Sequence, residues 1–109
     1  KLLYDSSNVA VIFEQEGLRA LGGNYNEYRY VLWEEVSYAY YVRSFKGHLF
    51  LVLSSNALSP KEAKHFANRG ANSSRICIDS VLVIYIDIFQ DVSKIKELID
   101  HYVVHVDTY

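Results

Sequence analysis

Two periods of hydrophobic spacing run through this chain, and the points where one gives way to the other divide it into strands and helices. Asn8–Phe13 (NVAVIF) is a short, β-branched apolar run, the pattern of a buried strand. Glu14-Gln15-Glu16-Gly17 is polar and closes on glycine as a hairpin connection, and Leu18–Leu21 returns as a second strand. Gly22-Gly23-Asn24 then breaks the chain, because glycine and asparagine accept positive φ. Tyr28–Trp33 (YRYVLW) predicts a third strand. Val36, Tyr38, Tyr40 and Val42 alternate with Ser37, Ala39, Tyr41 and Arg43, the period-two pattern of a fourth. A tight turn at Lys46-Gly47 leads into a fifth, His48–Leu53.

The spacing then changes. Ser59-Pro60-Lys61-Glu62 is a helix start: Ser59 caps, Pro60 takes the first helical position and Glu62 completes a capping box. This helix is expected to end near Asn68, with Gly70 in the left-handed position after it. Its thin apolar stripe of Ala63, Phe66 and Ala67 marks it as a surface helix. Arg75–Ile78 and Val81–Ile88 read as strands, joined by a turn at Asp79-Ser80 or continuous as one bent strand. Asp91 caps a second helix, in which Val92, Ile95, Leu98, Ile99 and Tyr102 recur at helical spacing. Val103-Val104 ends it, and His105–Tyr109 is expected to fray. The order predicts an α+β domain: one bent, mostly antiparallel sheet, a short inserted surface helix, and a C-terminal amphipathic helix covering the apolar sheet face.

A chain of 109 residues is the size of one domain, and folding at that length buries roughly two-thirds of the extended surface. Half the residues are apolar and 22% are charged, proportions of a globular protein rather than a disordered one. The net charge of −2 comes from 11 basic and 13 acidic residues, and no sequence window concentrates Lys and Arg. That argues against nucleic acid and against binding to anionic membrane, both of which draw on clustered cations. Cys77 is the only cysteine, so no internal disulfide forms and a reducing compartment, the cytoplasm, is the plain expectation. No apolar run reaches the roughly 18 to 20 residues that span a bilayer. The chain starts at Lys1 and holds no methionine, so it is expected to be a piece of something longer, with any membrane anchor outside it.

The element order resembles the bacterial pleckstrin-homology-like domains, in which a bent antiparallel sheet forms a partial barrel closed at one end by a C-terminal helix. Val11-Ile12-Phe13 with Glu16-Gly17-Leu18 is similar to that group's first hairpin. Val31-Leu32-Trp33-Glu34-Glu35-Val36 is similar to its apolar–x–Trp–acidic–x–apolar signature, and Leu49–Leu53 and Val92–Tyr102 fit the central strand and the closing helix. A subgroup with a helix inserted before the last strands matches Ser59–Arg69 and then Arg75–Ile78. The resemblance covers about residues 9 to 103 of a single 1–109 domain. It implies a soluble portion tethered to the inner face of a membrane by segments outside this chain. In relatives that bind phosphoinositides, Lys and Arg surround the first hairpin loop. Here that loop is Glu14-Gln15-Glu16-Gly17 with only Arg19 nearby, so phosphoinositide binding is not expected.

Candidate chemistry is sparse, and neither a cofactor nor a catalytic group is expected. His101 and His105 are spaced i, i+4, with Glu97 one turn before, but a zinc site needs three or four ligands and the valines argue that the helix has ended. Cys77, two residues from Arg75, reads as a small buried hydrophobe. Glu34 and Glu35 are adjacent, so on a strand they point to opposite faces and form no catalytic pair. An enzyme requires His48, a tyrosine or Cys77 to meet a perturbed carboxylate in a pocket. The ten tyrosines are the distinctive feature. Tyr28 and Tyr30 share a strand face; Tyr38 and Tyr40 share another, with Tyr41 opposite. Core packing accounts for most of them, and the remainder is expected to form an exposed protein-interaction surface beside a free sheet edge. Two readings follow: a non-enzymatic interaction or scaffold module that self-associates or binds a protein partner, or a small stand-alone acidic immunity or inhibitor-type protein.

Overall fold

The protein folds as two mostly antiparallel sheets and two helices around a shared core. The computed structural model describes residues 2–5, 10–22, 27–73, 77–78, 80–87 and 91–109. The first sheet is a four-stranded meander of β1 (Leu2–Asp5), β2 (Ala10–Phe13), β3 (Gly17–Gly22) and β4 (Glu27–Leu32). The second has five strands in the order β7-β8-β6-β5-β9, with β5 at Tyr38–Arg43, β6 at Leu49–Ser54, β7 at Cys77–Ile78, β8 at Val81–Tyr85 and β9 at His105–Thr108. Every pairing is antiparallel except β5 with β9. The α+β class, the mostly antiparallel pairing and the C-terminal helix are as the sequence predicts. The strands divide into two sheets rather than one, and they do not close into a barrel.

The division falls at Trp33. Trp33–Glu35 forms a 3-10 turn, which ends β4 at Leu32 and delays β5 to Tyr38, so Val36 belongs to the corner and not to a strand. The turn is held by one local bond and by contacts from distant parts of the chain. Leu32 N donates to Glu35 Oε1 at 3.0 Å, and the indole Nε1–H donates to Glu14 O at 2.9 Å. Trp33 stacks on Tyr102 with ring centroids 4.5 Å apart and on Phe13 at 6.0 Å.

The five-stranded sheet is covered on both faces. On one, Ala39, Tyr41, Leu49, Leu51, Leu53, Leu82 and Ile84 meet the first sheet's Val11, Phe13, Leu18 and Ala20 together with Ile95 and Ile99. On the other, Tyr40, Val42, Phe50, Val52 and Val83 meet Ala63 and Ala67. Burial on both sides is why Leu49–Leu53 reads as a continuous apolar run rather than an alternation. The helix α2 (Val92–Tyr102) buries Ile95 and Ile99, and Asp91 Oδ1 accepts from Lys94 N at 3.0 Å, the expected cap.

The helix α1 (Pro60–Ser73) carries the expected capping box. Ser59 N donates to Glu62 Oε1 at 2.9 Å, and Glu62 N to Ser59 Oγ at 3.2 Å. It runs past Asn68, however, and Gly70 lies within it. A Cβ at Gly70 would come 2.7 Å from Val83 Cγ1, so this glycine serves close helix–sheet approach rather than a left-handed stop. Gly47 does take positive φ, 84°, in the β5–β6 turn. Ser80, at φ 67°, turns β7 into β8, which settles the hairpin against the single bent strand. One expectation fails at the C-terminal end, where residues 105–108 form β9 instead of fraying. At the other end Leu2–Asp5, for which the sequence pattern predicts no strand, pairs with β2. Asn8, Val9, Arg75, Ile76 and Ile88 of the predicted strands, and Gly23, Asn24 and Asp79 of the predicted turns, lie outside the described residues.

Candidate functional site

The structure separates the five tyrosines that the sequence grouped. Tyr40 and Tyr41 are 2% and 4% exposed and face opposite sides of the second sheet, so neither is open to a partner. Both faces of that sheet are covered, a circumstance that a single-sheet reading does not anticipate. Tyr38 and Tyr40 instead belong to a ladder of stacked rings that docks the C-terminal segment. His105 stacks on Tyr38 at 5.0 Å, Tyr38 on Tyr40 at 6.2 Å, and Tyr40 on Tyr109 at 5.0 Å. Leu58 N donates to Tyr40 Oη at 2.8 Å while Tyr109 Oη donates to Leu58 O at 3.2 Å, so two phenols hold the backbone of Leu58 from both sides. Tyr41 points into the other core, beneath Lys96, whose Nζ lies 5.2 Å from its ring centre. Burial first, and then the charge of Asp100, hold the Tyr41 phenol above its ordinary range.

Tyr28 and Tyr30 remain. They lie on the outer face of the first sheet, which no helix or second sheet covers among the described residues. Tyr28 is 51% exposed. Between them, on the neighbouring strand, sits Arg19, its guanidinium carbon 5.6 Å from the Tyr28 ring centre and 5.3 Å from that of Tyr30. The register places Arg19 opposite Tyr30 and Leu21 opposite Tyr28, and Ile12 opposite Arg19, so the half-buried Ile12 and Leu21 extend the same face. Tyr30 lies across Gly17, where a Cβ would come 2.8 Å from its ring. Glu14 Oε1 stands 3.5 Å from Arg19 Nη2, a loose ion pair, and the shielded Arg19 Nε has no hydrogen-bond partner among the described residues. The result is an apolar, aromatic face with one cation at its centre.

The same strand is an edge. Trp33 N donates to Glu16 O at 2.9 Å, so position 33 turns toward β3. Successive residues of an antiparallel strand send their backbone groups to opposite sides. Leu32 N accordingly points outward, where Glu35 satisfies it. By the same alternation Tyr28 and Tyr30 direct N–H and C=O away from β3, where no strand pairs with them among the described residues. Along this edge, a cleft of about 170 Å³ opens where the two sheets part. Arg29 and Glu35 stand at its rim over Val31, Val36, Leu53 and Leu82.

The remaining sequence candidates do not assemble. His101 is on α2 and His105 on β9, so the helix ends between them and they share no helical face. No group of three metal-ligating side chains gathers among the described residues. Glu34 and Glu35 stand in the 3-10 turn rather than in a strand, both exposed, and Glu35 is spent on Leu32 N. Cys77 is half-buried on the two-residue strand β7. His48 meets Tyr85, its Nδ1 3.0 Å from the phenol oxygen, on the open surface. The nearby Asp87 carboxylate accepts from Leu49 N at 2.9 Å and lies 3.6 Å from Arg43 Nη1. No family model, curated protein or solved structure matches this chain.

Proposed function

We propose that the protein is a non-enzymatic interaction module of pleckstrin-homology-like type, acting through the outer face of its first sheet and the free edge of β4. One observation carries this reading: β4, an edge strand whose outward backbone groups meet no strand among the described residues, also bears the exposed Tyr28 and the half-buried Tyr30. Open edges recruit strands unless they are protected, and tyrosine contributes large contact area at low cost in side-chain entropy. Proline is absent from β4, and its edge is six residues long. The resemblance supports the same class of function, as a scaffold in the cytoplasm tethered by segments outside this chain. Among the described residues, no helix is long and apolar enough to cross a membrane.

The occupant this edge suits best is a second copy of itself, since identical antiparallel edges complement each other about a two-fold axis. Tyr28 is the natural centre. A pair centred on Arg29 would set two guanidinium groups against each other, and one centred on Tyr30 would need Leu32 N, already taken by Glu35. Centring on Tyr28 keeps the two Arg29 residues from facing each other and leaves Leu32 N to Glu35. Light scattering over a wide concentration range is expected to show mass rising toward a dimer. Tyr28→Lys, which puts two ammonium groups at the axis, is expected to hold it monomeric with its circular dichroism unchanged. A monomeric mass at every concentration would remove the self-pairing.

A further inference from the structure

The fold gathers a basic, aromatic patch that the sequence disperses. At the tip of the β5–β6 hairpin Phe45 is 66% exposed, the most exposed aromatic ring among the described residues. Lys46 Nζ lies 5.7 Å from its ring centre. Arg43 and His48 stand exposed at the base of the same turn, where Arg43 Nη1 donates to Gly47 O at 2.8 Å and braces it. The tip is tied to α1, since Phe45 N donates to Asn68 Oδ1 at 2.7 Å. Lys64 and Lys61 precede Asn68 by four and seven residues, so they line the flank of α1 that adjoins the hairpin, and both are exposed. The carboxylates on these elements are committed: Asp87 to Leu49 N and Arg43, Glu62 to the backbone of Ser59 on the opposite flank of the helix. In a chain of net charge −2, this end is cationic.

We infer that this end docks on an anionic lipid surface, with Phe45 entering the headgroup–acyl boundary and Lys46, Lys61 and Lys64 meeting lipid phosphates and carboxylates. The charge is complementary to such a surface, and basic residues within a Debye length of it are attracted. Shape decides between lipid and protein. Phe45 projects from a convex tip, whereas aromatic anchors for protein partners work in well-packed surroundings that exclude water. A fluid bilayer needs no shaped pocket. Lys46 over the ring is placed to keep its ammonium at headgroup level while the ring goes below, as amphipathic side chains do at interfaces. Recognition here is by charge and insertion, at a different place from the acidic first hairpin, and it selects no particular headgroup.

Sedimentation with vesicles tests this. The whole chain is expected to bind phosphatidylcholine vesicles that contain phosphatidylserine, to leave phosphatidylcholine alone in solution, and to release as salt rises. Phe45→Ser is expected to weaken binding by about tenfold, and the pair Lys61→Glu and Lys64→Glu by at least as much, all with unaltered circular dichroism. Vesicles carrying a phosphoinositide at matched net charge are expected to bind no better than phosphatidylserine. Absence of binding at low salt, indifference to Phe45→Ser, or a preference for the phosphoinositide at equal charge would each overturn the proposal.

Discussion

Two neighbouring tyrosines have opposite energetic roles, because alternate residues of β5 enter different cores. The Tyr40 hydroxyl accepts from Leu58 N, a peptide group that would otherwise lose its bond. The buried Tyr41 hydroxyl finds no partner among the described residues. An unsatisfied buried hydroxyl costs about 1–3 kcal/mol, whereas removing one member of a bonded pair leaves the other stranded. Tyr41→Phe is therefore expected to leave stability unchanged or raise it by about 1 kcal/mol, and Tyr40→Phe to lower it by about 1–2 kcal/mol, in urea unfolding at neutral pH. The alkaline limb follows with a definite sign. The Tyr41 phenol is raised by burial and by Asp100, so the folded protein holds that proton more tightly than the unfolded chain. Its contribution is complete below the unfolded phenol value of about 10 and is lost as pH climbs through the folded one, with a slope of up to about 1.4 kcal/mol per pH unit. Tyr41→Phe is expected to flatten that limb.

Among the elements, those ruled by local chemistry were legible and those ruled by distant pairing were not. The Ser59–Glu62 capping box and the Asp91 cap formed as read, because each needs only residues within one turn. The face of α2 was legible because Ile95 and Ile99 repeat at helical spacing. The strand β9 was not, since three of its four residues are exposed and carry no pattern. Its register with β5 and the hold of Tyr109 on Leu58 O depend on residues far away in the chain. The Tyr28–Arg19–Tyr30 face was half legible. Alternation put Tyr28 and Tyr30 together, but only the cover on both faces of the second sheet told them from Tyr38, Tyr40 and Tyr41. Gly70 misled for a related reason, since a glycine after a polar stretch reads as a stop unless the neighbouring sheet is known. In an exposed helix Gly→Ala gains about 1 kcal/mol from backbone entropy. Here the added methyl meets Val83, so Gly70→Ala is expected to lower stability instead, by about 1–3 kcal/mol. A rise in the thermal midpoint would mean that α1 shifts off β8 without cost.

At the scale of the whole molecule, the question is whether two sheets behave as one folding unit. The core gives an answer that can be tested, since a continuous buried cluster runs from Val11, Phe13 and Leu18 of the first sheet through Trp33 to Leu51, Ile84, Ile95 and Ile99. Trp33 is its junction. It is 8% exposed, stacks on Tyr102 of α2 and Phe13 of β2, and fixes the β2–β3 turn by donating to Glu14 O. Trp33→Ala removes the ring and leaves that carbonyl without its donor, at an expected cost of about 3–5 kcal/mol, whereas Trp33→Phe keeps most of the ring contact and loses mainly the hydrogen bond, about 1–2 kcal/mol. If one core joins the sheets, amide exchange in Trp33→Ala speeds up in β2, β3, β5 and β6 alike, and urea unfolding stays a single transition by every probe. If the second sheet, already covered on its far side by α1, stands by itself, exchange rises in β2–β4 while β6 and β8 keep their protection. The single continuous cluster leads us to expect the first result, and selective loss in β2–β4 would divide the molecule into two units at Trp33.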